Sequence, residues 1–260
     1  MAVHIVIPAR YGSTRLPGKP LVEIGGQPMV VRVAQRAAQT AADDVVVAVD
    51  DERVATVVER AGFSAVFTDS QHASGSDRSM EVAQLQGWQD DDLVINVQGD
   101  EPLIPVSVID CLIDELSAAK DLEMATIAEP LGDYAAYTDP NVVKVVVDDA
   151  SHALYFSRAS VPFARDLTPG DVAIEDWNQL QVGGYMRRHV GIYGFRVSGL
   201  RAFVELGPSA LEKVEMLEQL RWLQAGRKLL VVAAAESVPG GVDTPSDLER
   251  VRSVWSDAGD

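Results

Sequence analysis

The run Val3-His-Ile-Val-Ile-Pro-Ala-Arg-Tyr-Gly-Ser-Thr-Arg-Leu-Pro-Gly-Lys-Pro-Leu21 opens the chain and decides its fold class. Residues 3–7 form an apolar run without alternation, the mark of a strand buried on both faces, and Pro8 ends it. The composition then changes. Up to Glu23 there are three bases, Arg10, Arg15 and Lys19, and no acid. Ligands of open α/β sheets bind beyond the carboxyl ends of the strands. A cationic loop in that place suits a polyphosphate, with Gly12 and Gly18 letting backbone N–H groups come close. A solvated surface loop with scattered bases is the plainer alternative. The loop is not a Walker A motif: Gly12 to Gly18 encloses five residues instead of four, and Pro20 stands where a metal-binding Ser or Thr belongs. A dinucleotide G-x-G-x-x-G fingerprint is absent as well.

Outward from this stretch the same strand–helix rhythm continues. Met29, Val30, Val33, Ala34 and Ala37 recur at helical spacing and predict a helix over 28–39. Residues 45–49 read as a strand. Asp51 caps a helix that reaches Ala61 and stops at Gly62. A short strand at 65–67 precedes a helix capped by Asp77 and containing Met80 and Val82. A strand over 93–97 and a helix over 105–119 follow. This order predicts right-handed crossovers and an α/β fold: three layers around a mostly parallel sheet. After about Ala128 the regularity loosens. Strands at 142–147 and 190–195 flank a poorly patterned stretch, 165–188, with Pro169, Gly170, Gly183 and Gly184, read as an inserted subdomain or lid. Ser209-Ala-Leu-Glu212 is a capping box opening a helix predicted to run to Ala225. Residues 229–234 return to core strand. Thr244 at N-cap and Pro245 at N1 start a last helix to about Trp255.

A chain of 260 residues suffices for one large α/β domain or two small ones. Lys and Arg total 22 against 39 Asp and Glu, a net charge of −17, which repels anionic partners in bulk. That argues against nucleic acid and anionic membrane, and it means an anionic substrate needs a local reversal of sign. The single cysteine, Cys111, excludes an intramolecular disulfide and a multi-cysteine metal site, and fits a reducing compartment. No apolar run approaches the roughly 18 residues of a membrane span, and the N-terminus lacks a signal-peptide pattern. The reading is a cytoplasmic protein without membrane insertion.

A second motif, Asn96-Val-Gln-Gly-Asp-Glu-Pro102, follows the strand at 93–97. Asp100 lies at a strand's carboxyl end, where a carboxylate can hold Mg²⁺ whose shell phosphate and water complete. A plain Gly-Asp turn accounts for the sequence equally well. Gly241-Val-Asp-Thr-Pro245 offers a partner carboxylate, Asp243, which taken alone reads as an extra charge at a helix N-terminus.

Together these stretches resemble the 3-deoxy-manno-octulosonate (KDO) cytidylyltransferase family, over nearly the whole chain. Tyr155-Phe-Ser-Arg-Ala159, His189-Val-Gly-Ile-Tyr193 and Glu215-Met-Leu-Glu-Gln-Leu-Arg221 share in the likeness. Sialate-activating enzymes have a similar first loop, but Arg15-Leu-Pro-Gly-Lys-Pro and Gln98-Gly-Asp-Glu-Pro look like the KDO branch. Ser76 and Asp77 stand where relatives often have Thr and Glu.

The resemblance implies transfer of CMP from CTP to KDO, with release of pyrophosphate, in lipopolysaccharide synthesis. It implies Arg10, Arg15 and Lys19 on the CTP phosphates, with Ala9 beside them. Ser74 and Gly75 would approach the cytosine, near Arg78 and Gln98. Asp100 and Asp243 would bind Mg²⁺, so the implied catalytic set is Arg10, Arg15, Lys19, Asp100 and Asp243. Arg158, His189, Tyr193, Glu215 and Gln219 would line the sugar-acid site. Glu215 and Gln219, four apart, would share one helix face. The implied organisation is a nucleotide-binding part at about 1–128 and 229–260 and a sugar-binding, dimerisation part at about 129–228, with a homodimer as the assembly. An amino-substituted KDO analogue or a sialate is the nearest alternative substrate. A non-catalytic nucleotide sensor and a dinucleotide-binding redox protein are the alternatives of other classes.

Overall fold

The computed structural model describes residues 1–13, 16–165 and 186–257. The first strand, β1 (Val3–Ala9), leads through a short 3-10 turn, Lys19–Leu21, and a small hairpin, β2 (Glu23–Ile24) and β3 (Gln27–Pro28), into α1 (Met29–Ala37). Alternation follows: β4 (Asp44–Val49), α2 (Glu52–Arg60), β5 (Ser64–Phe67), α3 (Gly75–Gln86), β6 (Leu93–Asn96), α4 (Val106–Ala118) and β7 (Met124–Pro130). Next come α5 (Tyr134–Thr138), β8 (Lys144–Val147), β9 (Ala153–Ser157) and the long β10 (Arg187–Arg196). The chain continues with α6 (Val197–Leu206), α7 (Ala210–Glu215), α8 (Leu220–Gln224), β11 (Leu230–Ala233) and α9 (Pro245–Asp257).

The main sheet has the order β11-β7-β10-β6-β1-β4-β5. Strands β5, β4, β1 and β6 pair in parallel, as do β7 and β11. Strand β10 runs antiparallel to both of its neighbours, β6 and β7, the single reversed strand of the row. Side chains alternate between two packed layers. Ile5 and Ile7 of β1 meet Val30 and Val33 of α1, Val54 of α2 and Leu112 of α4. Val6 and Val94 face the other layer, with Met80 of α3, Phe203 of α6 and Trp222 of α8. The three-layer, mostly parallel sheet is therefore present.

Two irregularities of β10 position the site. Its residues 193–196 pair with β6, whereas Arg187 and Arg188 pair with β8 on that same side. The change of partner opens a fork just past the carboxyl end of β6. Opposite, the register against β7 breaks between Val190 and Tyr193, a bulge that re-aims the side chains around it.

The structure corrects several sequence expectations. The cap of α3 is Ser74; Asp77 sits three residues in and returns the bond in a capping box. The capping box at Ser209 and Glu212 is present, but its helix stops at Glu215 because Met216 adopts a left-handed conformation, φ 55°. Glu215 and Gln219 therefore share no helix face. Strands β7 and β9 and helix α6 were not foreseen. The inserted subdomain or lid read at 165–188 lies, for residues 166–185, outside the described residues. Among the described residues no helix is long and apolar enough to cross a membrane.

Candidate active site

The acidic centre is assembled from three segments. Gly99, just after β6, has no room for a side chain, since a Cβ there would lie 2.6 Å from the Pro8 carbonyl oxygen of β1. That close approach lays the Gln98-Gly-Asp-Glu run across the end of β1. The Val242 N–H donates to the Asp100 carbonyl at 2.8 Å, docking the segment before α9 onto it. Gly241 makes this possible: a Cβ there would fall 2.7 Å from Glu101 Oε1 and 3.0 Å from the Asp100 carbonyl. At the start of α9, Asp247 accepts from the Asp243 and Thr244 N–H groups at 3.2 and 2.9 Å, and Thr244 Oγ1 accepts from Asp247 N–H at 3.3 Å. Asp243 is thereby held opposite Asp100.

Between the two stands Lys19. Its Nζ donates to Asp100 Oδ2 at 2.5 Å and to Asp243 Oδ1 at 2.9 Å. Burial opposes the ammonium charge, but the two carboxylates outweigh it and hold the Lys19 pKa above its ordinary value. Beside them Glu101 is pushed up to about 8, first by burial and then by the Asp100 charge, against the pull of Arg188 and Lys19. Two carboxylates converging on one cation fit a Mg²⁺ ion that takes its remaining ligands from phosphate and water. Among the described residues no group of three or more His, Cys, Asp or Glu is placed to hold a metal by protein ligands alone.

Two cavities meet at this centre. The first, about 360 Å³, is lined by Ala9, Arg10, Gly12, Lys19, Gln98 and Asp100, among others. Arg10 is exposed within it. The second, about 460 Å³, fills the fork beside β10 and is lined by Arg188, His189, Tyr193, Glu218 and Gln219. Gln98 and Asp243 line both cavities. Gly75, at the start of α3, packs near the first: a Cβ there would lie 3.2 Å from Pro8 and 3.6 Å from Gln98 Nε2. Arg78 is buried and donates to Asp50 at 3.0 Å and Thr68 at 2.8 Å. Since Asp50 also accepts the Tyr11 N–H at 2.9 Å, Arg78 holds the first loop from behind. Arg15 lies outside the described residues.

In the second cavity Tyr193 donates its hydroxyl to Gln219 Oε1 at 3.0 Å. Gln219 Nε2 is buried and, among the described residues, has no hydrogen-bond partner. Burial, then the adjacent Arg188, lowers the His189 pKa to about 3, so its imidazole is neutral. Two residues expected here are spent elsewhere. Arg158 donates to the carbonyls of Glu215, Pro140 and Met216 at 2.8, 3.0 and 3.4 Å. Glu215 accepts from Ser157 Oγ at 2.7 Å and from the Arg158 N–H at 3.0 Å, pinning the end of β9. Glu218, in the same motif as Glu215, and Arg188, just before the His189 motif, line the cavity instead. Glu218 accepts from Ser76 Oγ at 3.1 Å, and Arg188 pairs with Glu129 at 2.6 Å. The signal that could have found them was adjacency, since Arg188 precedes His189 and Glu218 precedes Gln219.

Comparison with known proteins shows the family. The cytidylyltransferase family model matches residues 4–229. A 3-deoxy-manno-octulosonate cytidylyltransferase of Psychrobacter sp. (strain PRwf-1) is 49% identical, over 97% of this chain and 93% of its own. One of Alcanivorax borkumensis is also 49% identical, over 97% and 98%. The solved structure of a CMP:2-keto-3-deoxy-manno-octonic acid synthetase complexed with CTP superposes with a TM-score of 0.88 at 38% identity, covering 99% of this chain and 100% of that one. With its cationic loop, its facing aspartates and its paired cavities, the chain belongs to the 3-deoxy-manno-octulosonate cytidylyltransferase family.

Proposed function

We propose that the chain transfers CMP from CTP to KDO, with CTP in the first cavity, the sugar acid in the second, and one Mg²⁺ held by Asp100 and Asp243. The observation that carries this reading is the shared wall: Gln98 and Asp243 line both cavities, so a triphosphate in one meets a nucleophile in the other at the acidic centre. The anomeric C2 hydroxyl attacks the α-phosphorus in line. The new O–P bond forms as the α–β phosphoanhydride bond breaks, pyrophosphate carries away that electron pair, and the hydroxyl proton passes to solvent. Bound Mg²⁺ would polarise the α-phosphate and neutralise developing charge.

The protein's own part is positioning and charge. Were a metal to stand between the carboxylates in place of the Lys19 ammonium, Lys19 would be free to join Arg10 on the phosphates, where the family resemblance also puts Arg15. Such compensation matters on a chain of net charge −17: a unit-charge pair at 4 Å interacts by about 4 kcal/mol at an effective dielectric near 20. The Ser74–Gly75 turn, with Gln98, faces the base, and Arg78 braces the loop through Asp50. Around the sugar acid, Arg188 supplies the positive charge, while His189, Tyr193, Glu218 and Gln219 contact hydroxyls. A neutral imidazole with a pKa of about 3 is too weak to serve as general base at neutral pH.

A cytoplasmic homodimer belongs to the same reading. Leu154, Phe163, Val214 and Met216, large apolar side chains that are exposed, fall within 129–228, the part assigned to dimerisation. Light scattering tests the assembly. The reaction is tested by pyrophosphate release from CTP, KDO and Mg²⁺, with a chelator control. Silence with KDO, but turnover with an amino-substituted analogue or a sialate, would reassign the substrate. CTP binding that survives Asp100→Asn with no turnover in either protein would favour the sensor.

A further inference from the structure

The bulge in β10 leaves two carbonyls, Val190 and Ile192, turned toward β7. The buried Thr126 hydroxyl fills that gap: its Oγ1 lies 2.7 Å from the Ile192 oxygen and 3.3 Å from the Val190 oxygen. The same oxygen lies 2.8 Å from His189 Nε2. A hydroxyl has one proton to give. Carbonyls only accept, so that proton goes to them, and toward the imidazole Thr126 can act solely as acceptor. Nε2 must then carry the hydrogen. In a neutral ring this leaves Nδ1 bare, and among the described residues it has no hydrogen-bond partner. The hydrogen bond made by one ring nitrogen sets the state of the other. Phe156 and Tyr193 fix the plane of the ring, at centroid distances of 4.9 and 5.5 Å.

We infer that Thr126 is a positioning residue that locks His189 in its Nε2–H tautomer and presents Nδ1 to the second cavity as an acceptor for a substrate hydroxyl. The inference rests on the reading of that cavity as the sugar-acid site. It assigns a polarity to the contact: a donor is required opposite His189, and an acceptor such as a carboxylate oxygen is refused there. It also gives the bulge a use, since a regular ladder would have paired those carbonyls and left the threonine proton free for the ring.

The test combines nitrogen NMR of the histidine side chains in the free protein with steady-state kinetics. The chain has four histidines, and His189→Asn identifies the resonances of the fourth. The wild type should show a single protonated Nε2 and an unprotonated Nδ1 for His189. Thr126→Val should lose that single form and raise KM for the sugar acid about tenfold, the effect of one hydrogen bond, with KM for CTP unchanged. Thr126→Ser should restore both. A wild-type spectrum with the proton on Nδ1 overturns the inference even if the valine variant does not fold. So does a valine variant with unchanged spectrum and sugar KM. Because the spectrum is read without substrate, a wild type that ignores KDO sinks the reading of the cavity, and the tautomer stands or falls on its own.

Discussion

Replacing Gly241 with alanine tests the architecture of the acidic centre without touching any charge. A Cβ at 241 would lie 2.7 Å from Glu101 Oε1 and 3.0 Å from the Asp100 carbonyl, where ordinary contact starts near 3.4 Å. The overlap is thus about 0.7 Å at its worst. Glu101 Oε1 is the tip of a half-buried side chain and can turn aside, but the Asp100 carbonyl at 3.0 Å is backbone and cannot. Yielding at the backbone stretches the 2.8 Å bond from Val242 N–H to the Asp100 carbonyl, the tie that sets Asp243 opposite Asp100. Overpacking of this kind costs about 1–3 kcal/mol of stability. A displacement approaching 1 Å near reacting groups costs about a hundredfold in rate. The expected result is a folded protein with a modestly lower melting temperature and kcat down about a hundredfold. Pyrophosphate release and a thermal melt measure the two. A G241A variant with the wild-type rate would show that the alignment of the aspartates does not depend on this contact, and the reasoning would be wrong.

Other outcomes follow from the same geometry. Asp100→Asn should lower turnover by at least about a hundredfold while the fold, read by circular dichroism, is kept. Glu215→Ala should lower the melting temperature, since the carboxylate holds Ser157 and Arg158; Glu218→Ala should instead raise KM for the sugar acid. The His189 pKa is depressed from 6.5 to about 3, so the unfolded chain binds the extra proton first as pH falls. Stability from this group is complete above pH 6.5 and is lost on acidification toward pH 3, by at most about 2 kcal/mol at pH 5. Denaturant titrations at pH 7 and pH 5 should show that loss in the wild type and a smaller one in His189→Asn.

The parallel half of the fold was legible because its strands are short apolar runs and its helices carry caps at their starts, as with Asp51. Strand β7 was missed because Met124-Ala-Thr-Ile-Ala128 mixes the helix formers Met and Ala with the β-branched Thr and Ile, and so short a run settles neither state. The reversal of β10 has no local signature, since a buried strand reads alike in either direction. The break at Met216 escaped notice because no Gly or Asn marks it; tertiary contacts impose the left-handed turn. That single residue separates Glu215, which holds Ser157 and Arg158, from Glu218, which lines the second cavity. The cationic loop was legible as a candidate because three bases without an acid stand out in so acidic a chain, and the structure brings Arg10 and Lys19 to one cavity. The two aspartates were legible as candidates because one falls at a strand's carboxyl end and the other just before a helix, and the structure brings both to Lys19. Arg158 did not, since a sequence cannot tell a guanidinium that faces a ligand from one wrapped around backbone carbonyls.

Lys19 has a consequence for the protein at rest. Two carboxylates held face to face on so acidic a surface would push their segments apart whenever no metal was near. A tethered ammonium between them acts as a resident counter-ion. The site can wait, assembled, through the interval between one turnover and the next, and stripping divalent ions from solution should leave its melting temperature almost where it was.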